Sequence, residues 1–343
     1  MSITRHQRTV IVILGLIVLP LCVLAVGAGW FWWQVGACGG GGTQAAMQVE
    51  RGWGIPKIGD ELHKQGFVGN SLVFSVYARL NGDTSFEAGT YKFKKHSCVR
   101  DVVRVLKAGP QIDYTQITIP PGLWLKEISQ RVGKLPGRNA QAFVEASENN
   151  AVRSVFEPGG TNNLEGLLWP DTYKIAAEED EIDILKTMVQ LFDKRAASLG
   201  VGLANVQGYG PYDIIKVASL IEAEAKLNSD RPLIASVIYN RLAQHMNLQI
   251  DATLIYARGN PALRTLSDKD KLVNSPYNTY TNPGLPPTPI AAVSVASLEA
   301  ALHPAQTQYL YYVVIDKTGK HAFATTLQQQ QQNIAIAHQN GVG

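Results

Sequence analysis

The chain has 343 residues, of which 45% are apolar and 17% are charged, a balance typical of a folded protein rather than a disordered one. This length accommodates a membrane anchor and about two domains. The net charge of +3 is too small to indicate a nucleic-acid partner. Two of the three cysteines, Cys22 and Cys38, lie in or beside the N-terminal apolar segment. The sequence shows neither a disulfide framework nor zinc-ligand spacing, so Cys98 is expected to be a buried free thiol.

The N-terminal segment is predicted to cross a membrane. Residues 9–49 contain no Asp, Glu, Lys or Arg, and tryptophans follow the aliphatic run at its far end, as in a helix that spans a bilayer. A cleaved signal peptide is the competing interpretation, but its apolar region would be shorter. Arg5 and Arg8 place the N-terminus in the cytoplasm by the positive-inside rule. We therefore expect a single-pass protein of the cell inner membrane with its catalytic domain in the periplasm. The expected order is a cytoplasmic tail at 1–8, a transmembrane helix at 9–34 and a flexible Gly-rich tether at 35–46.

Two similar stretches follow, at 49–64 and 117–132. Each has a short extended run, a turn with Gly, a Trp and then an amphipathic helix. A strand at 86–93 and a helix at 98–106 are predicted between them. This β-α-β arrangement resembles a LysM module, a type that binds N-acetylglucosamine polymers in other proteins. We expect a LysM-like module at 47–135, although a scaffold that only holds the next domain is also open, since fold alone does not fix function.

The remaining chain is predicted to be a mixed α+β catalytic domain at 136–343, so the fold class is α+β. A central strand is predicted at 309–315, followed by a hairpin turn and a return strand from residue 321. The tail from residue 328 is predicted to be a terminal, partly frayed helix. Apolar residues at helical spacing predict further helices at 140–148, 182–197, 212–225, 232–242 and 297–302.

Two carboxylates lie inside the apolar run 217–225, at Glu222 and Glu224. A Glu that stays protonated near neutral pH because it is desolvated can act as a general acid. The two residues are about 200° apart around a helix, so they are not expected to share one role. One is expected to enter a cleft and the other to lie against a neighbour. A surface helix whose acids face water is the simpler alternative.

Several polar, turn-rich segments are candidates to line a site, because ordered loops that carry polar and aromatic side chains often do so. Three of them follow the helix with the two glutamates, at 248–253, 275–281 and 282–287. An earlier loop at 163–173 is dense in groups that can hydrogen-bond a sugar. Its alternative interpretation is a turn packed on the core by Leu167 and Trp169.

The order and spacing of these motifs resemble the YceG-like family of endolytic murein transglycosylases from about residue 47 to 335. This chain has Trp169, Ala225 and Ala252 where that family more often has Phe, Thr and Pro, departures that affect fine substrate contacts only. The motifs that carry the resemblance are Ala88-Gly-Thr-Tyr91, Leu164-Glu-Gly166, Trp169-Pro-Asp-Thr-Tyr173, Ser219-Leu-Ile-Glu-Ala-Glu224, Ala235-Ser-Val-Ile-Tyr-Asn-Arg-Leu242, Leu248-Gln-Ile-Asp-Ala-Thr253, Tyr277-Asn-Thr-Tyr280, Gly284-Leu-Pro-Pro287, Leu302-His-Pro304, Tyr309-Leu-Tyr-Tyr312 and His321-Ala-Phe323.

The resemblance implies cleavage of the MurNAc–GlcNAc β-1,4 bond inside nascent peptidoglycan strands, with 1,6-anhydro-MurNAc ends as the product. Glu222 matches the first Glu of the family's Ser-x-x-Glu-x-Glu pattern and is the predicted catalytic acid. One carboxylate suffices, because the C6 hydroxyl of the sugar attacks in place of water. The predicted substrate-binding residues are Glu224, Gln249, Asp251, Asn278 and Tyr280.

Several alternatives remain open. Glu224 and Asp251 are equally consistent with structural ion-pair partners, and His303 and His321 are expected to hydrogen-bond locally rather than to do chemistry. The competing functions are a non-catalytic cell-wall scaffold and a hydrolytic muramidase with Glu222 and Asp251 as acid and base. The expected partners are peptidoglycan strands, the lipid bilayer and, by the resemblance, cell-wall synthases. No cofactor, metal or nucleic acid is expected.

Overall fold

The computed structural model describes residues 5–36, 38–39, 42–111, 114–263 and 266–342, apart from the side chains of residues 5–17 and 20. The chain divides into two compact units, Met1–Asp113 and Tyr114–Gly343. The described residues are mostly helical and contain three two-stranded sheets, so the predicted α+β class is confirmed at that level.

The first unit begins with helix α1 (Arg5–Gly36). No helix among the described residues combines the length and the apolar character that a bilayer crossing requires. The start of the predicted tail 1–8 and part of the predicted span 9–34 lie outside the described residues or side chains. At the C-terminal end of α1, Val35 is 4% exposed and belongs to the core of the first unit, with Phe31 packed against it.

The first unit continues with two strands that enclose a pair of helices. The first of these helices has a Pro in its first turn. The second begins after Asn70, whose side chain accepts hydrogen bonds from two backbone N–H groups of that helix. The strands pair antiparallel from Gln44↔Lys94 to Val49↔Gly89. The last helix, predicted at 98–106, buries Val102, Val103 and Leu106. The elements are β1 (Gln44–Val49), α2 (Ile55–Lys64), α3 (Ser71–Leu80), β2 (Gly89–Lys94) and α4 (Val99–Lys107).

A disulfide joins Cys38 to Cys98, so the prediction of a free Cys98 thiol was wrong. The two cysteines are 60 residues apart, and no local pattern indicates that the fold brings them together. Beside the disulfide, the Gly39 N–H donates to the His96 carbonyl at 3.0 Å. The described part of the predicted tether is therefore fixed to the first unit rather than free, and residues 37, 40 and 41 of that tether lie outside the described residues.

The second unit starts at residue 114, earlier than the predicted domain boundary at 135. The reason is that its first strand pairs antiparallel with a later strand, from Tyr114↔Ala176 to Thr118↔Thr172, and the helix after it adds Ile128 to the core of the second unit. The elements of this part are β3 (Tyr114–Thr118), α5 (Leu125–Val132), α6 (Ala140–Glu148), β4 (Thr172–Ala176) and α7 (Glu181–Ser198).

Four helices form the centre of the second unit. The first of them is buried on all sides from residue 217 to 221, as expected of a helix that is apolar all round, so the surface-helix alternative was wrong. The third of them was missed, because its first residues were assigned to the polar, turn-rich segment at 248–253. The helices are α8 (Pro211–Glu224), α9 (Arg231–Ala243), α10 (Asp251–Ala257) and α11 (Val295–Leu302).

A β-hairpin and a final helix complete the second unit. The hairpin consists of β5 (Tyr311–Val314) and β6 (His321–Ala324), which form a two-stranded sheet, so the prediction of a central strand was wrong. Helix α12 (Leu327–Gln339) docks on it, since Gln330 Nε2 donates to the Tyr312 carbonyl at 2.9 Å. The predicted frayed tail is thus a packed helix.

Candidate active site

A cavity of about 340 Å³ lies at the C-terminal end of α8. It is surrounded by the end of α8, the segment that leads into α10, and the β5–β6 hairpin. Four of the predicted site residues lie together here, and they come from separate segments of the chain. The lining residues are Glu224, Arg241, Leu248, Gln249, Asp251, Tyr280, Tyr312, Val313, Val314, His321 and Val342.

Glu224 is the last residue of α8 and the acid at the centre of this cavity. Its carboxyl group hydrogen-bonds to the Tyr312 side chain and to the backbone N–H of Ala252. Burial, and to a smaller extent the charge of Asp251, raise the pKa of Glu224 to about 7 against the opposite effect of the two hydrogen bonds. A carboxyl group with a pKa near neutrality can both give and take a proton in one catalytic cycle.

Asp251 is exposed at the start of α10, and its charge acts to raise the pKa of Glu224. Its Oδ1 atom accepts a hydrogen bond of 2.5 Å from the Tyr280 hydroxyl. Burial and this hydrogen bond raise the pKa of Tyr280 above its usual range, so the hydroxyl remains a donor. The pair places a fixed carboxylate opposite the proton-carrying Glu224.

Gln249 has a backbone conformation that is rare for a residue with a side chain. Its φ is +51°, in the left-handed region where non-glycine residues are strained. The conformation is held because the Gln249 N–H donates to the Thr279 carbonyl at 3.0 Å. In addition, Arg241 Nη1 donates to the Leu248 carbonyl at 2.8 Å and to Gln249 Oε1 at 3.4 Å. Arg241, which was not among the predicted site residues, thus shapes the cavity wall.

Asn278 is the predicted substrate-binding residue that does not line this cavity. It is completely buried. Its Nδ2 atom donates to the carbonyls of Lys271 and Val273, both at 2.9 Å, and its Oδ1 atom accepts from the Tyr280 N–H at 2.9 Å. Asn278 therefore builds the loop that carries Tyr280 and does not line the pocket.

Glu222 lies in a different environment from Glu224. Its side chain is 6% exposed and pairs with Arg231 of α9, with Oε1 3.3 Å from Nη2. Its Oε2 atom accepts from the Ser294 N–H at 2.9 Å, the Ser294 hydroxyl at 2.5 Å and the Ser297 hydroxyl at 2.7 Å. Carboxylates are favoured at helix N-termini such as that of α11. Glu222 thus connects α8, α9 and α11 and is not among the residues that line the cavity.

His321 lies at the edge of the cavity and is bound to a buried acid. Asp230 Oδ2 accepts from the His321 N–H at 2.8 Å and is 2.9 Å from His321 Nδ1. Burial acts to raise the pKa of Asp230, but the contacts with His321 outweigh it, and the net pKa is lowered. The predicted local hydrogen bonding of His321 is confirmed, while His303, at the end of α11, is not part of the cavity wall.

Glu165 is a second buried acid, and the sequence analysis missed it. It is 5% exposed. Its Oε1 atom accepts from the Leu125 N–H at 2.9 Å, and its Oε2 atom accepts from the Tyr256 hydroxyl at 3.0 Å. Burial raises the pKa of Glu165 to about 7. The available signal was an acid within the apolar part of the 163–173 loop, preceded by Leu164 and followed by Gly166. This loop is packed on the core, as the turn interpretation expected.

Comparison with known proteins identifies a family and several relatives of the chain. The sequence profile of the YceG-like family matches residues 47–336. A protein of Streptococcus pneumoniae strain R6 named endolytic murein transglycosylase is 30% identical over 315 residues, which is 84% of this chain and 57% of that protein. A Bacillus subtilis protein of the same name is 31% identical over 301 residues, covering 84% of this chain and 83% of that protein.

The structural comparison agrees with the sequence comparison. The crystal structure of a yceG-like protein from Listeria monocytogenes superposes with a TM-score of 0.58 at 31% identity, covering 85% of this chain and 99% of that one. The chain spans little more than half the length of the streptococcal relative, 57% of it. On the extent of the profile match and the identity to these relatives, the chain belongs to the YceG-like family.

Proposed function

We propose that the chain is a membrane-anchored endolytic murein transglycosylase that cleaves the MurNAc–GlcNAc β-1,4 bond of peptidoglycan without consuming water. Family membership and the names of the relatives support the reaction class. The observation that carries the proposal is the position of Glu224, a partly buried acid with a pKa of about 7 in a cavity that Asp251 also lines. A glycan-cleaving enzyme needs such an acid to protonate its leaving group.

In the proposed reaction, Glu224 does the work that the sequence analysis assigned to Glu222. The Glu224 carboxyl gives its proton to the glycosidic oxygen while the bond from that oxygen to C1 of MurNAc breaks. The C6 hydroxyl of the same MurNAc forms a bond to C1, and its proton passes to the Glu224 carboxylate. The acid is thereby regenerated, and the products are an anhydro-ended strand and a strand with a free GlcNAc hydroxyl.

The surrounding residues assist this step in different ways. The Asp251 charge keeps the proton on Glu224 before the reaction and opposes the positive charge that develops on the sugar. Tyr280 holds Asp251 in place. Arg241 and Gln249 hold the wall of the cavity and offer donors to sugar hydroxyl groups.

We assign Glu222 a structural role because its oxygens already accept hydrogen bonds from Ser294 and Ser297 and pair with Arg231. A substrate oxygen would have to displace these donors to receive a proton from it. The test is release of fragments from purified glycan strands by Glu224→Gln and by Glu222→Gln. We expect no release from folded Glu224→Gln and residual release from folded Glu222→Gln, and the reverse would return the acid to Glu222.

A hydrolytic muramidase is a second candidate, favoured by one observation. Asp251 is an exposed carboxyl group close enough to Glu224 to raise the pKa of that residue, so the two could act as acid and base on a water molecule. Mass spectrometry of the products separates the reactions, because a hydrolysed end carries one more water than an anhydro end. A folded wild type that releases nothing would support a non-catalytic scaffold instead.

We further propose that the chain acts on the outer side of the cytoplasmic membrane, beside cell-wall synthases, with its N-terminus in the cytoplasm. The Cys38–Cys98 disulfide supports an oxidising location for the first unit, since disulfides persist in such compartments. Protease treatment of spheroplasts should degrade the chain from its C-terminal side, and protection of the whole chain would contradict this orientation. Cross-linking in cells followed by mass spectrometry tests the synthase contact, and recovery of the chain without any synthase would contradict it.

A further inference from the structure

A second cavity, of about 410 Å³, lies in the second unit between α5 and α6. Its buried end contains Glu165 and Tyr256, and exposed polar side chains form its rim. It shares no lining residue with the cavity that contains Glu224. The rim side chains are Lys126, Gln130, Gln141 and Glu148.

Glu165 has hydrogen-bond donors but no positive partner. Its two oxygens accept from the Leu125 N–H and the Tyr256 hydroxyl. No salt bridge to Glu165 occurs among the described residues, and burial raises its pKa to about 7. A buried carboxyl group is ordinarily either paired with a cation or kept neutral. A cation that enters this cavity would therefore meet a carboxyl group with no ion-pair partner among the described residues.

We propose that this cavity is a second substrate subsite, in which Glu165 binds a primary amine carried by the peptide part of a peptidoglycan strand. The inference rests on the proposed function, which supplies the substrate class. An ammonium group is small enough to reach the buried end and brings the charge that Glu165 lacks. Glu148 on the rim adds a second negative charge, and Lys126 opposes them from the other helix.

The position of α10 connects this subsite to the catalytic cavity. Asp251, in its first turn, lines the cavity of Glu224, and Tyr256, near its end, lines the cavity of Glu165. The helix is about 10 Å long at 1.5 Å per residue. In this proposal, a peptide branch of a strand bound at Glu224 runs along α10 to Glu165.

The charges that face Glu165 make the amine distinguishable from other occupants. They are Lys126 and Glu127 of α5, Glu148 of α6, Tyr212 of α8 and Tyr256 of α10. An amine is favoured by Glu165 and Glu148 and disfavoured by Lys126, whereas a carboxylate has the opposite preference and a neutral sugar has neither. Amine binding favours the ionised form of Glu165, so it should weaken as the pH falls below about 7.

The test is an NMR titration of the full chain with two blocked tripeptides that differ only at one lysine, which carries a free amine or an Nε-acetyl group. We expect the free amine to bind at least about tenfold more tightly, as a charge-assisted hydrogen bond implies. Glu165→Gln should abolish this preference, and Lys126→Ala should tighten binding of the free amine. Glu145→Gln, an exposed position on α6 outside the cavity, is the matched control and should change neither affinity.

Equal binding of the two peptides by the wild type would overturn the proposal. So would an undiminished preference in folded Glu165→Gln, or weaker amine binding by Lys126→Ala, and the second variant keeps the test valid if the first does not fold. Binding of an N-acetylglucosamine oligomer with no amine preference would show a neutral sugar subsite instead. The titration needs no cleavage, so a chain that binds amines but releases no glycan fragments contradicts the proposed function and leaves the amine site standing.

Discussion

Glu222 and Glu224 are separated by one residue, yet their carboxyl groups contact different residues. Glu222 bonds to Arg231 of α9 and to Ser294 and Ser297 at the start of α11. Glu224 bonds to Tyr312 of β5 and to the Ala252 N–H of α10. One acid is thus fixed inside the helical core, and the other ends in a cavity with a pKa near neutrality.

Removal of the Glu222 carboxyl should destabilise the second unit. Glu222→Ala leaves the Arg231 charge buried without its partner, and breaking a buried pair in this way costs about 3–5 kcal/mol. Urea denaturation measures the loss. Glu145→Ala, on the exposed face of α6, should stay within about 0.5 kcal/mol of the wild type. An equally small effect of Glu222→Ala would show that the contacts of Glu222 with Arg231, Ser294 and Ser297 add little stability.

The pH dependence of cleavage should report the carboxyl group of Glu224. The acid must be protonated in the free enzyme, so kcat/KM should fall as the pH rises above about 7. Asp251→Asn removes the charge that helps to raise this pKa, so the fall should begin at a lower pH. Initial rates across a pH series provide the measurement. If kcat/KM of Asp251→Asn begins to fall at the same pH as that of the wild type, the result would argue against the coupling of the two acids.

The backbone strain at Gln249 can be measured by comparing two truncations. Gln249→Ala and Gln249→Gly both remove the side chain, but only glycine adopts a φ of +51° without strain. We expect the Gly variant to be more stable than the Ala variant by about 1–2 kcal/mol in chemical denaturation. Equal stabilities would indicate that the left-handed conformation costs nothing here.

Loss of the disulfide should affect the stability of the first unit. Cys38→Ser removes the disulfide between two positions that are 60 residues apart. Removal of a disulfide commonly lowers the free energy of unfolding by about 2–4 kcal/mol. Differential scanning calorimetry of the wild type with and without reductant, beside Cys38→Ser, provides the comparison. A Cys22→Ser variant keeps the disulfide and should match the wild type. Identical melting of all these samples would contradict a stabilising role.

Periodicity predicted most helices of the second unit, since the apolar positions of α6, α7, α8 and α9 fall on buried faces. It could not predict α10, a short helix of seven residues whose sequence reads as a loop. The Cys38–Cys98 disulfide was also out of reach, because proximity across 60 residues is a property of the fold.

The sequence predicted which segments contribute to the candidate site, but not how their side chains are arranged in space. The sequence analysis selected Gln249, Asp251 and Tyr280, and the structure places all three around one cavity with Glu224. Glu222 was predicted to be the acid from the family resemblance alone, because helical geometry separates the faces of the two glutamates without saying which face meets the cavity. The donors that surround Glu222 come from Ser294 and Ser297, more than seventy residues away in the chain, and local patterns carry no information about them.

The most direct test of the account is mass spectrometry of the products formed from purified, uncross-linked glycan strands by the wild type, Glu224→Gln and Glu222→Gln. Circular dichroism and thermal melting should confirm that each variant is folded. The account predicts anhydro-MurNAc ends from the wild type, none from Glu224→Gln, and a reduced amount of the same product from Glu222→Gln. Anhydro ends from Glu224→Gln at the wild-type rate, with none from folded Glu222→Gln, would contradict it.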